Sequence, residues 1–206
     1  EGRRAVPGRL ILAALAALVA LRPVVTAAEE TIVRYRIRGL FQPDRVDDLR
    51  RQAGSMPASD GKTPVEVVLV DADYETTVAT FRYDDASPSF RNRKPEQVRE
   101  HIDNLLRHVS RGGFSVRPLD MPPPGQLRIE RIAVAGHDCK GCNYGLYRAV
   151  DAIDGVERAV ASFKEGHVTV WIDPAKTGRD AIVAALRKKD VDVVEPDVSG
   201  GSAPKQ

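Results

Sequence analysis

Cysteine is scarce: the 206 residues hold two, Cys139 and Cys142, three positions apart. A pair that close cannot staple distant parts of a fold, so a disulfide framework is excluded and the use of the thiols must be local. The choices are a metal site, a redox pair or an inert disulfide. Charge of one sign is missing too. The 31 Lys and Arg nearly balance the 29 Asp and Glu, and four of the basic residues against one acidic residue fall within residues 1–28. Without a basic stripe interleaved with aromatics, nucleic acid and anionic membrane lose their main electrostatic argument, since both require clustered Lys and Arg. Long apolar runs are absent as well. Leu10 to Leu21 is a run of 12, short of the roughly 20 needed to span a bilayer. No Ser-His-Asp set, paired catalytic carboxylates or phosphate-cradling glycine loop stands out, so no catalytic activity is expected.

What is present begins with an apolar fraction of 42%, enough for packed cores. Basic residues, the apolar run and the small-residue stretch Val25-Thr26-Ala27-Ala28 have the layout of a signal peptide over residues 1–28. Cleavage near Ala27 or Ala28, a periplasmic or secreted location and no stable membrane insertion afterwards are the corresponding expectations. Met121-Pro122-Pro123-Pro124-Gly125 forbids helix and supplies few backbone donors, which predicts a Pro-rich linker over 120–126. It divides a first domain, 30–119, from a second, 127–196; residues 197–206, rich in Gly, Ser and Pro, read as a flexible tail.

The second segment alternates strand and helix signals. Arg128 to Val134 is β-rich, Leu146, Val150 and Ile153 recur at helical spacing, and Asp154-Gly155 closes that helix. Strands over Val156 to Phe163 and His167 to Ile172, a helix with Ile182, Val183 and Leu186 on one face, and a strand over Val191 to Val194 complete the order βαββαβ. That order is the ferredoxin-like arrangement, an α+β sandwich with two helices on one face of an antiparallel sheet. The first segment gives a divergent copy. Strands at Ile32 to Ile37, Val65 to Val70, Thr77 to Tyr83 and Phe114 to Val116 surround a helix after Pro43 and a longer one carrying Val98, Ile102, Leu105, Leu106 and Val109. Two such sandwiches in tandem are therefore expected. Placing Gly39 opposite Gly136 puts Gln42 and Arg45 where the second copy has Cys139 and Cys142. The first copy thus lacks thiols, and no thiophilic metal is expected there.

The chemistry gathers in Gly136-His137-Asp138-Cys139-Lys140-Gly141-Cys142, between the first strand and first helix of the second domain. Cysteines at i and i+3 across a helix start lie about 5 to 6 Å apart at Cβ and can turn both sulfurs to one ion. The helix N-terminus and Lys140 both favour the thiolate form that binds metal, and soft thiolates select Cu(I), Hg(II) or Zn(II) over Mg or Ca. Asp138 reads as a helix N-cap or as a further ligand. His137 reads as a packed or exposed loop residue, and His101 and His108 as solvated.

With its Gly-x-x-Cys-x-x-Cys loop, Asp154-Gly155-Val156 and Val168 to Pro174, the second segment resembles the heavy-metal-associated domain family. That family is found in periplasmic mercury-binding proteins, copper chaperones and the N-terminal domains of metal-pumping ATPases. The resemblance implies metal ligation by Cys139 and Cys142, with one thiophilic ion, Cu(I) or Zn(II) before others, as cargo. It implies a metal transporter or acceptor protein as partner. Members often have Met where His137 stands and a shielding aromatic or Lys near Val191. An Asp before the first Cys, here Asp138, resembles the branch that pumps zinc, cadmium and lead, so the metal stays open. Two alternatives stand beside metal transfer: a thiol-disulfide redox module, and a structural or partner-binding module with an oxidised pair.

Overall fold

The computed structural model describes residues 30–56, 66–135, 140–162 and 165–194. The expected signal peptide over 1–28, the tail over 197–206 and the loop residues His137, Asp138 and Cys139 lie outside them. Among the described residues, no helix is long and apolar enough to cross a membrane.

Strand β1 (Glu30–Arg38) is followed by helix α1 (Arg45–Ala53), strands β2 (Val67–Ala72) and β3 (Val78–Asp84), helix α2 (Pro95–Val109) and strand β4 (Ser115–Arg117). After a single 3-10 turn at Pro124–Gln126 the order repeats. It runs β5 (Arg128–Ala135), α3 (Lys140–Asp151), β6 (Val156–Ser162), β7 (His167–Ile172), α4 (Arg179–Arg187) and β8 (Asp192–Val194). Each half forms a four-stranded antiparallel sheet, ordered β2-β3-β1-β4 and β6-β7-β5-β8. These are the same topology, so the chain contains two ferredoxin-like halves.

Local chemistry explains the elements. In α2, Pro95 occupies the first turn, where no backbone donor is needed, and the Lys94 N–H donates to Gln97 Oε1 at 2.9 Å. Val98, Ile102 and Leu106, one turn apart, bury against the sheet, with Leu105 and Val109 packed at the edge of the same core. In β7, Val168, Val170 and Ile172 alternate inward and are fully buried, while Trp171 on the opposite face is partly exposed. The second sheet and α3 and α4 enclose these with Ile132, Leu146, Val150, Ile182 and Leu186.

His101 differs from its expected place in solvent. It sits half-buried in α2, edge-on to Phe90 with ring centroids 5.0 Å apart. His108, near the end of the same helix, is exposed. Seven residues apart, the two lie on nearly the same side of the helix, so the difference lies along its axis: His101 sits beside Phe90, and His108 is in the last turn.

The halves pack against each other. Phe41, in the turn between β1 and α1, joins the core of the second half instead of its own. Arg36 pairs with Glu157 at 2.8 Å, Arg38 with Asp151 at 3.0 Å, and Arg117 Nη1 donates to the Val156 carbonyl at 3.2 Å. Arg158 inserts between the Tyr74 and Trp171 rings, 5.1 and 4.6 Å from their centroids, and donates to the Tyr74 carbonyl. Arginine suits this boundary because its planar head forms several directed hydrogen bonds and stacks on aromatic faces.

Candidate metal-binding loop

The site is built on α3. Its own domain holds it through Leu146 and Val150, which are buried beneath it. Gly155 follows with a φ of +83°, and a Cβ there would lie 2.6 Å from Lys176 Cβ, so glycine lets the chain turn sharply from α3 into β6.

Cys142 lies near the start of α3 and is partly buried. It is in the disulfide-bonded state; the chain's other cysteine is Cys139, which lies outside the described residues with Asp138. Beside Cys142 opens a groove of about 400 Å³ lined by Tyr144, Gly145, Leu146, Arg148, Lys189 and Val191. Val191, matched by sequence to the shielding position, is thus a neighbour of the thiol in space. It is 4% exposed and forms part of the second core, so it closes the groove floor as an apolar wall. Arg148 and Lys189 are exposed and give the rim positive charge.

In the first turn of α3, exposed Gly141 faces the first half across a cleft of about 490 Å³. Phe41, Gln42, Asp44, Arg45, Asp48 and Gln52 are among its walls. The residues that stand where the second half has its cysteines, Gln42 and Arg45, are therefore brought beside the start of α3. They are already engaged there. Gln42 Nε2 donates to the Ala161 carbonyl at 3.3 Å. Arg45 donates to the Gly39 carbonyl at 3.1 Å, pairs with Asp48 at 2.7 Å and lies 4.3 Å over the Phe114 ring. Arg45 fastens its own turn and offers no soft donor.

Sequence reasoning missed a second set of residues around α3. Tyr147 is 4% exposed and Asp151 8%, and both contact the first half. The Gly39 N–H donates to Tyr147 Oη at 2.6 Å, and Phe41 stacks on Tyr147 with centroids 5.0 Å apart. Burial pushes the Tyr147 phenol well above its ordinary value, with the Asp151 charge adding to the effect. Burial also raises the Asp151 carboxyl, although Arg38 and the Tyr147 hydroxyl oppose the shift. One turn earlier, Asn143 is 3% exposed, and its Oδ1 has no hydrogen-bond partner among the described residues. The spacing of four residues between Tyr147 and Asp151 was the available local signal.

A cysteine near the start of a helix, on one half of a ferredoxin-like tandem, defines a small thiol-bearing module. Residues 131–190 match the family model of the heavy-metal-associated domain. A CopZ metallochaperone is 30% identical over 32% of this chain and 100% of its own, with a TM-score of 0.32. Oxidised MerP from Ralstonia metallidurans CH34 is 20% identical over 33% of this chain and 94% of its own, TM-score 0.32. The water-soluble region of the P-type ATPase CopA from Bacillus subtilis is 15% identical over 87% and 99%, TM-score 0.33. No curated protein matches. Through its second half, the chain belongs to the heavy-metal-associated domain family.

Proposed function

We propose that the protein is an exported carrier that holds one soft or borderline metal ion, Cu(I), Zn(II) or Hg(II), through the Cys139 and Cys142 thiolates. It passes the ion to a transporter or acceptor protein by ligand exchange. The observation that carries the reading is the placement of Cys142: near a helix start, partly exposed, beside an open groove. An incoming thiolate can add there before a resident one leaves, whereas structural zinc sites close with four protein ligands. The pair must be reduced before it can ligate, because the donor is the thiolate. The leader-like residues 1–28 support a periplasmic or secreted setting. Nothing in this chemistry requires a catalytic step.

The disulfide-bonded state of Cys142 favours a second reading, a thiol-disulfide module. One experiment separates the two. The full chain is reduced, titrated with Cu(I) and with Zn(II) against competing chelators, and weighed by non-denaturing mass spectrometry. One metal per chain, lost in both Cys139→Ser and Cys142→Ser, is the expected result, because each change removes half of the soft donors. Wild-type affinity in both variants would refute the site. An apo protein that accelerates disulfide exchange would establish the redox reading instead.

A further inference from the structure

Helix α3 is gripped on two faces. One rests on its own sheet through Leu146 and Val150. The other, carrying Tyr147 and Asp151, rests on the first half through three kinds of contact at once: the Phe41 ring stack, the Gly39 N–H to the Tyr147 hydroxyl, and the Arg38 ion pair with Asp151. Phe41 also reaches Tyr144, two residues from Cys142, with ring centroids 5.8 Å apart. A domain folding alone has no need of a buried Tyr and Asp on the outward side of this helix. On the first half, Arg38, Gly39 and Phe41, at the end of β1 and in the turn after it, supply these contacts.

We propose that Phe41 and Tyr147 are positioning residues for the cysteine pair, and that the thiol-free first half is a fixed clamp setting the roll of α3. A helix seated on one sheet can roll; a second buried face removes that freedom. At a side-chain radius of about 5 Å, a roll of about 10° moves a sulfur by about 1 Å. That exceeds the tolerance of about 0.5 Å within which a site geometry is productive. The clamp therefore sets how readily the two sulfurs form a disulfide with each other or converge on one ion. Only the metal part of this inference rests on the proposed function.

The test uses the full chain and two readouts that a purely structural role leaves still. In a small-thiol redox buffer the protein disulfide and two thiols exchange to the protein dithiol and one small-molecule disulfide, which yields an equilibrium constant. Cu(I) affinity is measured in parallel by competition with bicinchoninate. Phe41→Ala is expected to change the exchange constant at least about tenfold, equivalent to about 30 mV for a two-electron couple, and to weaken Cu(I) about fivefold or more. Tyr147→Phe keeps the ring stack but removes the acceptor of the Gly39 N–H, so it should move both readouts in the same direction as Phe41→Ala and by less. Leu106→Ala, in the core of the first half and away from α3, should lower the melting temperature without moving either readout. Phe41→Leu serves in place of Phe41→Ala if the alanine variant does not fold. An exchange constant unchanged by the Phe41 variants, or changed equally by Leu106→Ala, overturns the clamp. A wild-type chain that binds no Cu(I) refutes the metal reading alone, because the exchange constant still decides the clamp.

Discussion

Arg36 and Glu157, 121 residues apart in the chain, form an ion pair at 2.8 Å with side chains only 5% and 15% exposed. Arg36 also donates to the Glu157 carbonyl, while its Nε has no hydrogen-bond partner among the described residues. Two charges taken out of water recover their hydration loss only through close pairing, so removing one strands the other. Glu157→Ala should cost about 3 kcal/mol or more by denaturant unfolding. The double change Arg36→Met with Glu157→Leu should recover most of that loss, because well-packed apolar groups replace a buried pair at little net cost. A double variant as unstable as the single one would show that the pair is net stabilising.

Gly39 and Gly145 should respond to alanine in opposite directions. Gly39 has a φ of +102°, and a Cβ there would collide with the Gly113 carbonyl and the Phe114 ring. Gly39→Ala should therefore cost at least about 2 kcal/mol. Gly145 lies inside α3 with open space around the position of a Cβ. Gly145→Ala should raise stability by up to about 1 kcal/mol through helix propensity, read as a shift in unfolding midpoint at unchanged slope.

The βαββαβ order of both halves was legible because each rests on short-range periodicity: Val98, Ile102 and Leu106 at helical spacing, Val168, Val170 and Ile172 at alternation. The thiol pair can be read together from the sequence without tertiary information because Cys139 and Cys142 are three positions apart; of the two, the structure describes Cys142. The boundary between halves was not. Phe41 looks like a loop aromatic, and its partner Tyr147 lies more than one hundred residues away. Nothing local distinguishes a Tyr-Asp stripe that meets another domain from one that meets water. His101 was misplaced for a related reason: along one side of α2, the position along the axis decides between solvent and Phe90.

His101 makes stability depend on mild acid. Its imidazole is held below the ordinary 6.5, chiefly by burial and then by the Arg93 charge, with Glu66 opposing. A base with a lowered folded pKa binds fewer protons when native than when unfolded. Stability is therefore greatest above 6.5 and falls as pH drops through the window between 6.5 and the folded value. Asp151 acts with the opposite sign, since its raised carboxyl pKa makes stability fall as pH rises through a window that begins at the ordinary 3.8. The difference between wild type and His101→Leu cancels the Asp151 contribution. Denaturation midpoints should fall between pH 7.5 and pH 5 by less in the variant than in wild type, and parallel curves would exclude His101.

The identity of the metal turns on Asp138, adjacent to Cys139 in sequence. Cu(I) is satisfied by two or three soft sulfurs and gains little from a carboxylate. Zn(II) is borderline, prefers four ligands and accepts a carboxylate oxygen at about 2.0 to 2.2 Å. If Asp138 ligates, Asp138→Ala should weaken Zn(II) by at least about tenfold, or about 1.4 kcal/mol, and leave Cu(I) nearly unchanged. A role as helix cap gives a different pattern. Loss of a cap costs about 1 kcal/mol of stability and, by loosening the start of α3, weakens both ions alike. The diagnostic quantity is therefore the ratio of the two affinity changes, measured on one reduced preparation with paired chelators. A ratio of about ten or more assigns Asp138 to the zinc shell, whereas a ratio near one leaves it as a cap and favours a two-sulfur ion as cargo.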